Sequence, residues 1–108
     1  MPQADAARAH LEAQLTELEG RLARIAADLA EPLAADSSEQ AVETEDDAAL
    51  EAQAALITGE IASVKRALER IAEGTYGECA LCGGEIAQGR LEARPEAALC
   101  IECANRKG

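Results

Sequence analysis

The chain has 108 residues and a formal charge of −11, with four Cys, one Tyr and neither Phe nor Trp. No apolar stretch approaches the roughly 18 residues a membrane span needs. A chain this acidic repels nucleic-acid phosphates and anionic lipid, so a basic protein surface fits it better as a partner than DNA, RNA or membrane. Its size allows one domain, or one domain with an appendage. Ala and Leu dominate the apolar content, which suits helices with a thin seam better than a thick globular core. The acid is unevenly spread: residues 1–74 carry 6 basic and 16 acidic side chains, and residues 75–108 carry 4 and 5. Met1 to His10 holds Asp5, Arg8 and His10 without an apolar run, unlike a secretory signal, which predicts a cytoplasmic protein.

The first long segment repeats apolar residues at Leu11, Leu15, Leu18, Leu22, Ile25 and Leu29. The steps alternate between four and three, the a/d spacing of a coiled coil. A second segment does the same at Leu50, Ala54, Ile57, Ile61, Val64, Leu68 and Ile71. Folded antiparallel, Leu11 faces Leu68, Leu15 faces Val64, and so on to Leu29 and Leu50. The two numbers of every pair sum to the same value, which places the bend near Glu39–Gln40. Two unrelated helices would not share one register over six layers, and a parallel dimer would not require it. The pattern therefore predicts an intrachain antiparallel hairpin, and a monomer.

The bend has local signals. Pro32 weakens the end of the first arm, and Asp36, Ser37 and Ser38 make a polar turn. Ser37 and Gln40 have the spacing of a capping box for the second arm, with Thr44 as an alternative start. Gly20 and Gly59 fall at one level of the hairpin and cost each roughly 1 kcal/mol in helix propensity; the expectation is that they permit close approach or bending. Gly74 and Gly77 end the second arm. Counting ~1.5 Å per residue back to Gln40, the arm is about 50 Å long. Between Asp36 and Asp47 lie six carboxylates and no basic residue. Read plainly, these are a solvated helix start favoured by the helix dipole. Read functionally, they are charge delivered into a narrow, positively charged or metal-bearing cavity. Lys65, Arg66 and Arg70 read as the solvated face of the second arm.

Cys79 and Cys82, then a 17-residue gap, then Cys100 and Cys103 form two Cys-x-x-Cys knuckles, a standard tetrahedral Zn²⁺ ligand set. Residues 75–108 hold few large apolar groups: Tyr76, Leu81, Ile86, Leu91, Leu99 and Ile101. So few cannot offset the ordering of 34 residues, and a metal must supply part of the stability. Disulfides do not suit the expected compartment, and a redox dithiol lacks its strand–helix context. Iron is the alternative metal for four sulfurs. Four thiolates leave no open coordination position for water, so the zinc reads as structural and hydrolytic chemistry at the metal is excluded.

From Ala67 to Cys103 the wording is specific: Ala-Leu-Glu-Arg-Ile-Ala-Glu-Gly-Thr-Tyr-Gly-Glu-Cys, Cys-Gly-Gly-Glu-Ile, Arg90-Leu-Glu-Ala-Arg-Pro95 and Leu99-Cys-Ile-Glu-Cys. These strings, with the hairpin, resemble the DksA/TraR family of bacterial transcription regulators. The Arg90–Pro95 string sets them apart from a generic zinc ribbon. The resemblance implies a mainly α fold: a long antiparallel coiled-coil hairpin over 1–74, with an acidic tip near 36–47, joined to a four-cysteine zinc-finger module over 75–108. It implies a partner, bacterial RNA polymerase, whose secondary channel receives the hairpin, and an effect on initiation without direct nucleic-acid contact. The tip motif of the best-known members, Asp-x-x-Asp-x-Ala, falls on Asp36–Ala41, with Glu39 at the second Asp and Ala41 retained. Arg90 and Arg94 are the expected contacts with an acidic polymerase rim, while Tyr76 is expected to pack on the zinc module. Where members bind ppGpp through basic residues, this chain has Leu56, Glu60, Ser63 and Ala104, so it is expected to lack that contact. It reads as a short member, without the N-terminal extension and long C-terminal helix of full-length ones. The competing classes are a structural zinc and coiled-coil adaptor for another protein, a nucleic-acid-binding zinc ribbon, and a transcript-cleavage factor placing carboxylates at a second Mg²⁺.

Overall fold

The computed structural model describes residues 2–30 and 37–107, with side chains over 4–30 and 47–106. The chain is mainly α-helical: a long antiparallel coiled-coil hairpin joined to a four-cysteine zinc-finger module. Helix α1 spans Pro2–Ala30 and α2 spans Ser37–Glu73, with the short helices α3 (Gln88–Ala93) and α4 (Ile101–Lys107) following. Pro32 and Asp36 lie outside the described residues. Helix α2 starts at Ser37, so Thr44 is inside the helix rather than its cap.

Two compact units partition the chain, one of Met1–Leu15 with Ala62–Gly108, the other of Thr16–Ile61. In the Thr16–Ile61 unit, Leu18, Ile25, Ile57 and Ile61 are buried, while Leu22, Leu29, Leu50 and Ala54 are half-buried. Every one of them is a seam position of the heptad pattern. Leu56, off that pattern, is 70% exposed. The glycine pair does not serve close approach. A Cβ on Gly59 would meet nothing within 4 Å, and one on Gly20 would meet only the flexible end of Arg24 at 3.6 Å. Neither glycine is required by packing.

In the other unit the seam positions Leu11, Val64 and Ile71 are all buried, with Leu15 and Leu68 half-buried. Ala67 is fully buried beside them, although the heptad pattern does not count it. An α-helix turns every 3.6 residues, so the buried face drifts from a strict 3.5 repeat by the end of a long arm. Helix α2 ends in a Schellman motif. Gly74 has φ +82, its N–H bonds the Ile71 carbonyl, and the Thr75 N–H bonds that of Arg70. Glycine takes that left-handed conformation without the Cβ penalty, which turns the backbone out of the helix and into the zinc module.

Candidate metal centre

The first knuckle is built on backbone hydrogen bonds. The Cys79 N–H donates to the Gly84 carbonyl at 2.7 Å, and the Gly83 N–H donates back to the Cys79 carbonyl at 2.9 Å. Gly83 has φ +74, so the turn that brings Cys82 back over Cys79 needs glycine there. The arms of this turn meet in an isolated antiparallel bridge between Glu78 and Glu85, extended by the Ile86 N–H bond to the Gly77 carbonyl. The Gly84 N–H points at Cys82 Sγ, 3.4 Å away, and so supports a thiolate there. The second knuckle is helical: Cys100 immediately precedes α4 and Cys103 lies in its first turn, with the Ala104 N–H bonded to the Cys100 carbonyl.

All four Sγ atoms lie within 4.8 Å of one another, and Cys82 Sγ is 3.8 Å from Cys100 Sγ. A tetrahedron with Zn–S near 2.3 Å has edges of about 3.8 Å, whereas a disulfide needs about 2.05 Å. No disulfide joins the four cysteines, and their spacing fits Zn²⁺. When bound, the ion supplies a cross-link between the two knuckles and no reactive position.

Electrostatics agrees with a dication. Backbone N–H groups of Cys82 and Cys100 hold the Cys79 thiol down to about 6. Hydrogen bonds shared with Cys100 and Cys79 push Cys103 up to about 12. Packed thiols cannot all ionise unless a cation compensates their mutual repulsion. Cys79 and Cys103 are buried, Cys100 is half-buried and Cys82 is exposed, so the Cys82–Cys100 edge is the one open to water.

The apolar support is thinner than the count of aliphatics suggests. Ile86 is buried with Cys79 and Cys103, and Leu91 and Leu99 pack against them. Leu81 and Ile101, the other two large aliphatics of this stretch, are 65% and 56% exposed. Thiols thus make up much of the module's interior.

The other expected site residues fare unequally. Arg94 is exposed and pairs with Glu96 at 3.3 Å. Arg90 is half-buried, and its Nε donates to the Leu99 carbonyl at 2.9 Å, so part of its guanidinium is committed inside the module. Tyr76 packs on the module as expected, its hydroxyl donating to the Pro95 carbonyl at 2.9 Å. Arg70 departs from expectation. It is half-buried rather than solvated, and its Nη2 reaches the carbonyls of Glu96 and Ala97. Sequence spacing could not reveal this, because those acceptors lie 26 and 27 residues along the chain. Asp36 lies outside the described residues; Glu39 and Ala41 belong to α2 by their backbone, and their side chains are likewise outside. Of the places aligned with ppGpp-binding residues, Leu56 and Glu60 are exposed, and Ser63 and Ala104 are half-buried.

No helix among the described residues is long and apolar enough to cross a membrane. Residues 74–107 match the prokaryotic dksA/traR C4-type zinc finger, and residues 8–71 match the N-terminal domain of DnaK suppressor protein-like chains. The RNA polymerase-binding transcription factor DksA of Escherichia coli (strain K12) is 44% identical over 43 residues, 40% of this chain and 28% of that protein. The match therefore spans under a third of that relative's length. A relative of the same description from Caulobacter vibrioides is 41% identical over 46 residues, 43% of this chain and 32% of its own. The structure of transcription factor DksA2 from Pseudomonas aeruginosa superimposes with a TM-score of 0.87 at 32% identity, covering 99% of this chain and 84% of that one. The solution structure of DnaK suppressor protein from Agrobacterium tumefaciens gives 0.67 at 35% identity, over 94% and 91%. With both segments matched and the four thiols set for one tetrahedral ion, the chain belongs to the DksA/TraR family.

Proposed function

We propose that this protein is a cytoplasmic, monomeric regulator of transcription initiation that binds bacterial RNA polymerase and inserts its hairpin into the secondary channel. The observation that carries the reading is the likeness, over nearly the whole chain, to transcription factor DksA2. Charge supports it: the carboxylates concentrate in residues 1–74, away from the zinc module, and suit a basic protein cavity better than a phosphate backbone. In this reading Asp36, Glu39 and Ala41 act at the tip, and Glu39 keeps the family's charge on a side chain one methylene longer. Exposed Arg94, and the part of Arg90 not bonded to Leu99, face an acidic rim. The zinc has no catalytic part, because four thiolates leave no position for water. Nucleotide alarmone does not act through Leu56, Glu60, Ser63 and Ala104, since none offers a cation to a phosphate and exposed Glu60 repels one.

The test is transcription in vitro from a stable-RNA promoter, with polymerase retention measured in parallel. The expected result is retention of polymerase by the unaltered chain and by Asp36→Asn, Glu39→Gln and Ala41→Thr. Only the unaltered chain then changes open-complex lifetime. Failure to retain polymerase sinks the reading and favours an adaptor for another protein. Retention with equal activity of all three variants moves the effect away from the tip.

A further inference from the structure

Residues 95–99, which lead into Cys100, form neither helix nor strand. Yet each of their five consecutive carbonyls accepts a hydrogen bond from another part of the chain. The Tyr76 hydroxyl donates to Pro95 at 2.9 Å, Arg70 Nη2 to Glu96 and Ala97 at 3.5 and 3.4 Å, the Ala80 N–H to Ala98 at 2.8 Å, and Arg90 Nε to Leu99 at 2.9 Å. A segment without regular structure normally gives its carbonyls to water. Here they are gripped one by one, up to the residue before a metal ligand.

The donors come from four places: Arg70 from the last turn of α2, Tyr76 from the link that follows it, Ala80 from the first knuckle, and Arg90 from α3. Arg70 is the donor that belongs to the coiled-coil arm. Its Nε is buried with no hydrogen-bond partner among the described residues, and its two carbonyl contacts are long. A guanidinium withdrawn from water needs acceptors, and the loop carbonyls are the acceptors it reaches.

We propose that Arg70 is a positioning residue of the zinc centre: by holding the Glu96 and Ala97 carbonyls it sets where Cys100 is presented, and so couples metal occupancy to the end of the coiled-coil arm. Groups outside the ligand set that fix ligand orientation commonly alter metal affinity ten- to a hundredfold. Here the support acts on the backbone feeding the ligand. Coupling of this kind runs both ways, so bound zinc also steadies the last turn of α2.

The experiment compares zinc transfer to a chromophoric chelator, and thermal melting, for the unaltered chain, Arg70→Lys, Arg70→Met and Ile57→Ala. Lysine keeps the positive charge at the helix end, where it favours the dipole, but lacks the rigid planar guanidinium whose Nη2 serves both the Glu96 and Ala97 carbonyls. Ile57→Ala weakens the buried seam without touching the loop. Arg70→Lys is expected to melt near the unaltered chain yet yield zinc about tenfold more readily. Ile57→Ala is expected to melt lower and hold zinc unchanged. Should Arg70→Met fail to fold, the thiolate-to-metal absorption of the cobalt-loaded Arg70→Lys protein takes its place, and a changed band pattern supports the role. An unchanged cobalt spectrum in Arg70→Lys overturns it, as does zinc release equal to the unaltered chain's. So does release from Ile57→Ala as fast as from the Arg70 variants.

Discussion

Among the described residues of the Thr16–Ile61 unit, the buried apolar side chains are Leu18, Ile25, Ile57 and Ile61, spaced by a repeat that periodicity alone reveals. After Gly74 the buried residues among those described are Ile86, Pro95 and the thiols Cys79 and Cys103, supported by half-buried Leu91 and Leu99. Hydrogen bonds to loop carbonyls and a metal complete that region. The first stretch is stabilised by many small, interchangeable dispersion and burial contributions. The second depends on a few contacts that cannot be exchanged. A seam loses stability in instalments, whereas a metal module keeps or loses its fold as a whole.

Substitutions sharpen that contrast. Cys79→Ser should have the largest effect, since structural zinc sites contribute on the order of 10 kcal/mol at neutral pH. It should hold no zinc tightly, and the module's melting transition should vanish. An unchanged melting profile with full metal content would break the comparison. Leu18→Ala, at a position 4% exposed, should cost about 3 kcal/mol while zinc stoichiometry stays at one. Loss of metal in that variant would show that the seam and the module are not separable. Tyr76→Phe keeps the ring and removes one hydrogen bond, for about 1 kcal/mol and somewhat faster zinc loss.

The same phenol gives a pH signature. Burial raises the Tyr76 pKa above its ordinary 10.0, with Arg70 opposing and Glu96 reinforcing the shift. A raised acid is one whose neutral form the fold prefers. Its contribution is therefore fully present below pH 10 and is lost as pH rises through the higher folded value. Because Tyr76 is the chain's single tyrosine, tyrosinate absorbance reads it alone. A midpoint at or below 10 would contradict the burial of the phenol. Gly59→Ala should have the smallest effect and the opposite sign, a gain of up to about 1 kcal/mol, because open space surrounds the missing Cβ. A loss of stability there would restore the idea of close approach.

Much of the fold is legible because heptad spacing and Cys-x-x-Cys spacing are local patterns. The same-sum register anticipates the antiparallel hairpin, and Leu18, Ile25, Ile57 and Ile61 are buried accordingly. Arg70 is illegible for a physical reason. An arginine on a helix reads as solvated, and only the folded loop brings carbonyls from 26 residues away to meet it. The bond from Arg90 Nε to the Leu99 carbonyl is illegible in the same way, since the fold and not the spacing brings that acceptor to it. Gly20 and Gly59 show the converse: a coincidence of level that packing does not use. The burial of Ala67 is missed because a strict seven-residue count ignores helical drift.

The run of gripped carbonyls from Pro95 to Leu99 has an evolutionary consequence. Surface connections usually tolerate added or deleted residues. In this one, inserting or removing a single residue would shift every acceptor past its donor and rotate Cys100 away from its three fellow ligands. The run before Cys100 is thus held to one length by the same contacts that present the ligand, whatever side chains it carries.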